Sequence, residues 1–281
     1  MDAAADLASG KGARDENFPV ASWLLKAEHR APIMSFYRFA RAADDIADHP
    51  SAGEEEKLRL LDKMRRGARG FSDGAPEGLA LHRAIGERGI PAMHAEELLD
   101  AFVQDVTVRR YPDWDTLMAY CRLSAMPVGR FVLDVHGEDR ASWPLSDALC
   151  AALQVINHLQ DCGKDYRALN RVYLPLDLLA AEGASVEELG EARAPPALRR
   201  AIAVLAERTQ GLLAKSRPFA AHLRSRRLAM EVAIIQELAE ALTERLRRHD
   251  PLSERVHHRK LDAGMIALRA ALGQLFRGRS R

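Results

Sequence analysis

Apolar residues recur along the chain at spacings of three and four, and short β-branched stretches with strict alternation are nearly absent. That period lines one side of an α-helix with apolar side chains, whereas a half-buried strand needs a period of two. Ala, Leu, Glu and Arg, which lose little side-chain freedom in a helix, are abundant. The pattern predicts helices at about 31–49, 54–70, 77–88, 92–109, 114–137, 145–167, 185–190, 197–215, 218–248 and 251–275, separated by Gly, Pro and Asp. Pro32 falls in the first turn of the first helix and Pro50 just beyond its end, while Ser72–Pro76 has the composition of a simple turn. The predicted fold class is therefore all-α. No Pro/Gly/Ser-rich linker and no internal repeat interrupts the pattern, so one domain is expected over residues 16–281. The first fifteen residues are Ala, Gly and charged residues without periodicity, a composition expected to be disordered.

Two helical segments carry acids where helix physics disfavours them. In the first, Tyr37, Arg41, Asp44, Asp45 and Asp48 share one face of a helix that Pro50 terminates. Like charges at these spacings repel by roughly 0.2–0.5 kcal/mol per pair, and the negative end of the helix dipole lies close by. In the second, Gln154, Asn157, Asp161 and Asp165 form a polar stripe along a helix otherwise built from Leu149, Leu153, Val155, Ile156 and Leu159. That helix is apolar enough to be buried, and buried carboxylates need cations or strong donors, of which only Lys164 is local. Facing each other, the two stripes would converge five carboxylates on one cavity, a site for hard divalent cations such as Mg²⁺ completed by a bound diphosphate. The competing reading makes Asp44, Asp45 and Asp48 a solvated helix end and Asp161 and Asp165 a salt-bridged face. Asp105 has two readings as well, a further acid of the same lining or a surface ion pair. His158 projects to a different face from Asn157 and is given no catalytic role, and the adjacent His257 and His258 are read as solvated.

Composition narrows the partners. The chain is 47% hydrophobic and 29% charged with a formal net charge of +1, a soluble globular balance that does not suggest a nucleic-acid binder. Cys121, Cys150 and Cys162 make an odd count without a C-x-x-C spacing, which argues against a disulfide framework or a zinc site and fits core packing in a reducing, cytoplasmic setting. No secretory signal and no membrane-spanning run is visible. The near-zero net charge hides a segregation, since Glu244–Arg281 holds ten basic residues against four acidic ones. There Met265, Leu268, Leu272 and Leu275 repeat at helical spacing. Two readings stand for this region: a surface helix on anionic lipid, and a terminal helix packed on the core with a basic outer face.

The motifs around these residues carry a resemblance. Glu16–Ser22 (ENFPVAS), Phe36–Asp48 (FYRFARAADDIAD), Tyr120–Arg130 (YCRLSAMPVGR) and Asn157–Asp165 followed by Arg171–Pro175 (RVYLP) resemble the squalene and phytoene synthase family of head-to-head isoprenyl diphosphate synthases, most closely its bacterial hopanoid-pathway branch. The similarity runs from about Glu16 to at least Pro175. Ser124–Gly129 departs from the Val-Ala-Gly-x-Val-Gly form common in the family, and Met126 stands where the branch would have Asn. The resemblance implies an isoprenoid synthase fold with a central cavity between the two aspartate helices, and more than one Mg²⁺ held by Asp44, Asp45, Asp48, Asp161 and Asp165. It implies presqualene diphosphate as substrate, ionised and captured by water to give hydroxysqualene. Asn17, Phe18, Arg41, Gln154, Asn157, Lys164 and Arg171 are the implied substrate-binding residues. Tyr37, Tyr120 and Tyr173, with Phe18, would line the carbocation pocket, so that Tyr37, Arg41, Tyr120, Asn157 and Tyr173 form the implied catalytic set. No Gly-rich dinucleotide fingerprint occurs, so no NAD(P)H is expected. Two alternatives stand beside it: condensation of two farnesyl or geranylgeranyl diphosphates, and a non-catalytic assembly subunit that keeps the fold, against which the intact Asp44, Asp48, Asn157, Asp161 and Asp165 speak.

Overall fold

A computed structural model describes residues 26–258, 264–266 and 270. The helices are α1 (Ala27–Asp48), α2 (Glu54–Ala68), α3 (Pro76–Gly86), α4 (Met93–Thr107), α5 (Trp114–Ser124), α6 (Met126–Val135), α7 (Trp143–Leu169), α8 (Leu176–Glu182), α9 (Pro196–Ser216), α10 (Phe219–His222) and α11 (Arg226–Arg248), with 3-10 turns at Arg140–Ser142 and Val186–Gly190. Among the described residues there is no strand, only a single parallel bridge between Arg110 and Val172. The chain divides into two compact units, each assembled from two separate stretches. One comprises the stretch ending at Val108 together with Leu123–Arg140, the other Arg109–Arg122 together with the stretch from Ala141 onward.

In the first unit α1 buries Ile33, Phe36, Phe39, Ala43, Ile46 and Ala47, a stripe at spacings of three and four, and leaves its acidic face outside it. Phe36 stacks on Phe131 of α6 at 4.1 Å between ring centroids. The helix starts four residues earlier than predicted and passes through Pro32. Proline has no N–H to give the carbonyl one turn back. Here the Arg88 guanidinium donates to that carbonyl, Glu28 O, so the turn before Pro32 is kept. At the other end the Lys57 ammonium donates to Ala47 O (3.0 Å), a cation at the negative terminus of a helix crowded with acids. The α2–α3 pair approaches closely at glycines. A Cβ on Gly78 would stand 2.6 Å from Met64 O, and one on Gly67 2.5 Å from Ala75 O, so only glycine fits.

In the second unit the 27-residue α7 buries Leu149, Ala152, Val155, Ile156 and Leu159. It ends at Asn170 in the left-handed region (φ 50°), a conformation Asn tolerates better than most residues. The amides of Asn170 and Arg171 then donate back to Tyr166 O and Asp165 O, satisfying the last turn.

Several boundaries differ from the sequence pattern. The predicted 114–137 helix is interrupted at Ala125, where Pro127 cannot bond back into the preceding turn. The predicted 218–248 helix divides into α10 and α11, because Ser225 Oγ accepts from Leu228 N (3.3 Å) and starts a new helix. The segment 185–190 is a 3-10 turn, and α8 was not anticipated. The predicted 251–275 helix does not begin at 251. Buried Asp250 accepts from Leu252 N, Ser253 Oγ and Ala194 N, and holds the next residues in turns. Residues 264–266 are helical, with Met265 exposed, whereas Leu268, Leu272 and Leu275 lie outside the described residues. The same holds for the N-terminal segment expected to be disordered.

Candidate active site

The first unit holds one group of acids. Arg41 grips two of them: Nη1 lies 2.8 Å from Asp44 Oδ2 and Nη2 2.6 Å from Asp45 Oδ1. The Asp45 side chain is only 9% exposed, so its charge is spent on this pairing rather than on water. Asp44 reaches solvent at its edge while the helices around it exclude most water. Burial therefore pushes its carboxyl from the ordinary 3.8 up to about 7, with Asp48, Asp105 and Asp45 adding to the rise and Arg41 opposing it. Asp105 of α4 is buried, which removes the surface-ion-pair reading and makes it a fourth acid of the group. Tyr37 is half-buried on the same face of α1. Asp44, Asp45, Asp48 and Asp105 gather four carboxylates whose mutual repulsion an added hard cation would relieve, and their oxygens are the donors that Mg²⁺ prefers. Among the described residues no three His, Cys, Asp or Glu side chains already stand in ligand geometry.

The second unit carries the other stripe. Gln154, Asn157, Asp161 and Asp165 are all half-buried along α7, while Lys164 is exposed. Gln160, one residue before Asp161, is buried and donates to Val256 O, which fastens the segment after α11 against α7. His257 and His258 are consequently half-buried rather than solvated. His258 Nε2 lies 2.9 Å from Leu238 O, and burial lowers the His257 pKa against the pull of Asp161. All three cysteines are free thiols. Burial pushes the pKa of both Cys121 and Cys162 up to about 12, so neither is a nucleophile at neutral pH.

Beside this stripe lies an aromatic group. Tyr120 and Tyr173, both nominated from the motifs, are buried 5.4 Å apart between ring centroids. Tyr111 stacks on Tyr173 at 5.5 Å and lies 5.2 Å from Tyr120. The imidazole of His158 stacks on Tyr173 at 3.5 Å. Arg171 is buried as well and donates from Nη1 to the Tyr173 hydroxyl (3.2 Å). Tyr111 and His158 were not among the nominated residues. Tyr111 arrives through the Arg110–Val172 bridge, a contact across some sixty residues that no local pattern announces. Asn17 and Phe18, with the rest of Glu16–Ser22, lie outside the described residues.

Long helices bearing these acid stripes, in a chain whose described part contains no strand, place the molecule among the all-α isoprenoid synthases. The chain belongs to the squalene/phytoene synthase family, whose profile matches residues 12–262. It is 53% identical over 275 residues to a hydroxysqualene synthase of Zymomonas mobilis, covering 97% of this chain and 93% of that one. Against a presqualene diphosphate synthase of the same organism the identity is 30% over 216 residues, 74% of this chain and 72% of that one. Among solved structures it is similar to the squalene synthase HpnC of Alicyclobacillus acidocaldarius, with 33% identity, a TM-score of 0.73, and 88% and 92% of the two chains covered.

Proposed function

We propose that this enzyme is a hydroxysqualene synthase, converting presqualene diphosphate and water to hydroxysqualene and diphosphate as a carbon–oxygen lyase, with residues 16–281 acting as one catalytic domain. The observation that carries the reading is the contrast in relatedness: 53% identity over nearly the whole chain to a hydroxysqualene synthase, against 30% over three quarters of it to the same organism's presqualene diphosphate synthase. Asp44, Asp48, Asp161 and Asp165 are the residues that would hold Mg²⁺, with Asp45 contributing through Arg41. When bound, Mg²⁺ withdraws charge from the diphosphate and eases ionisation of the C–O bond. Arg41, Gln154, Asn157, Lys164 and Arg171 supply hydrogen bonds to the departing anion, and Asn17 and Phe18 complete the substrate-binding set. Tyr37, Tyr120 and Tyr173 present aromatic faces, which favour a cation by roughly 0.5–2 kcal/mol each.

The product assay tests this reading. Purified enzyme with Mg²⁺ is expected to turn presqualene diphosphate into hydroxysqualene without a nicotinamide, and to leave farnesyl diphosphate unchanged. Formation of presqualene diphosphate from farnesyl diphosphate would replace the reading with that of a condensing enzyme.

No helix among the described residues is long and apolar enough to cross a membrane. The basic C-terminal region is the part we assign to contact with anionic lipid, which suits a C30 substrate that partitions into membranes. Flotation with anionic liposomes at low salt is expected to carry the protein upward, with the effect lost at high salt. An absence of binding at low salt rejects the assignment.

A further inference from the structure

His158 is surrounded in a way that packing alone does not explain. Its side chain is 8% exposed, its ring lies flat on Tyr173 at 3.5 Å with 15° between planes, and Tyr120 is 5.9 Å away. Nε2 is sealed from solvent and has no hydrogen-bond partner. Leaving a buried polar atom unpaired costs about 1–3 kcal/mol, and a phenylalanine would make the same stack without that cost. The imidazole is neutral: burial first, and the Arg171 charge second, lower its pKa to about 3. A neutral ring does not oppose a developing carbocation, and its Nε2 is an unpaired polar atom beside the Tyr120 and Tyr173 rings and the Arg171 guanidinium.

We propose that His158 is a specificity-determining residue of the reaction, its Nε2 accepting a hydrogen bond from the water that captures the carbocation beside Tyr120 and Tyr173. The inference rests on the proposed hydroxysqualene synthase activity. The water oxygen donates an electron pair to the cationic carbon, forming the C–O bond of the alcohol. The proton of the resulting oxonium passes to the departed diphosphate, which the ionisation itself supplies. His158 is too weak a base to keep that proton, and its part is to orient the water. Without it the cation is left to lose a proton from carbon, giving a hydrocarbon, or to meet water at another position.

The test is a comparison of product distributions from presqualene diphosphate with Mg²⁺. His158→Phe is expected to unfold at the same temperature as the parent or higher, which separates its effect on products from any loss of fold. The share of hydroxysqualene among its products is expected to fall roughly tenfold in favour of hydrocarbons and isomeric alcohols. His158→Gln, which keeps a polar atom near Nε2, is expected to restore part of that share. An unchanged product distribution in His158→Phe overturns the inference and leaves His158 a packing residue. Should that variant fail to fold, the pair His158→Leu and His158→Gln decides in the same way, equal shares of alcohol overturning the proposal. A parent enzyme that makes no hydroxysqualene overturns the functional reading itself, which the unsubstituted control reports separately.

Discussion

Asp48→Ala and Asp161→Ala are each expected to lower turnover of presqualene diphosphate by about three orders of magnitude or more while the protein stays folded. Ionisation of a carbon–oxygen bond places charge on the diphosphate, and the residues that gather cations around it act mostly in the transition state. The two substitutions address the two stripes separately, so the pair asks whether both serve one reaction. Asp48 is also a principal reason, after burial, that the Asp44 carboxyl is held near 7. Its removal should therefore relieve repulsion, and unfolding at pH 8 should be no easier than in the parent. Product formation with Mg²⁺, together with circular dichroism of the same samples, checks both halves. Activity within tenfold of the parent in either variant would remove that stripe from the metal-binding set.

Arg41→Ala is expected to cost about 3 kcal/mol of stability at pH 8, and distinctly less at pH 5. The guanidinium opposes the rise of the Asp44 pKa, and it also pairs with the nearly buried Asp45. Taking it away removes a counter-charge that both carboxylates contact directly. The pH dependence follows from the raised Asp44 value. Between its unfolded value of 3.8 and its folded value of about 7 the native protein binds a proton that the unfolded chain has lost. Stability from this group is greatest below about 4, declines as the pH rises to about 7, and is level above that. Without Arg41 the folded value rises further, so the decline continues to higher pH and its total is larger. Urea unfolding in EDTA at pH 5 and pH 8 measures it, and an equal loss at the two pH values would show that Arg41 matters through packing alone.

The long helices were readable because each repeats its apolar residues often enough to define a face, as α1 does with Phe36, Phe39, Ala43 and Ile46. The acidic stripes were readable for the opposite reason, since nothing local explains three aspartates at the end of α1. Interruptions were harder. Ala125 and Ser225 break stretches whose hydrophobic period runs on through the break, and there a proline or a single capping hydroxyl outweighs the pattern. The turns after α11 depend on Asp250 receiving an amide from Ala194, fifty-six residues earlier, which no window of sequence displays. The same holds at the candidate site. Tyr120 and Tyr173 were nominated through their motifs, whereas Tyr111 joins them only through the Arg110–Val172 bridge, and His158 was passed over because helical phase alone points it away from Asn157. Helical phase shows which side of a helix a residue occupies, and burial depends on what is packed there.

The two compact units are interleaved along the chain, which passes from one to the other at 108/109, 122/123 and 140/141. This bears on synthesis at the ribosome. The first unit is incomplete until Arg140 has emerged, because α6 supplies Phe131 to the stack on Phe36. The stretch Arg109–Arg122 emerges before that point, yet its own partners lie in helices still to be made. For much of translation α5 is therefore a nascent amphipathic helix with an apolar face exposed, the kind of segment that chaperones retain. Neither unit can be produced as one uninterrupted piece of the natural chain. A cut within residues 109–140 divides both units at once, and limited proteolysis there should lead to cooperative loss of the fold rather than to the release of a stable fragment.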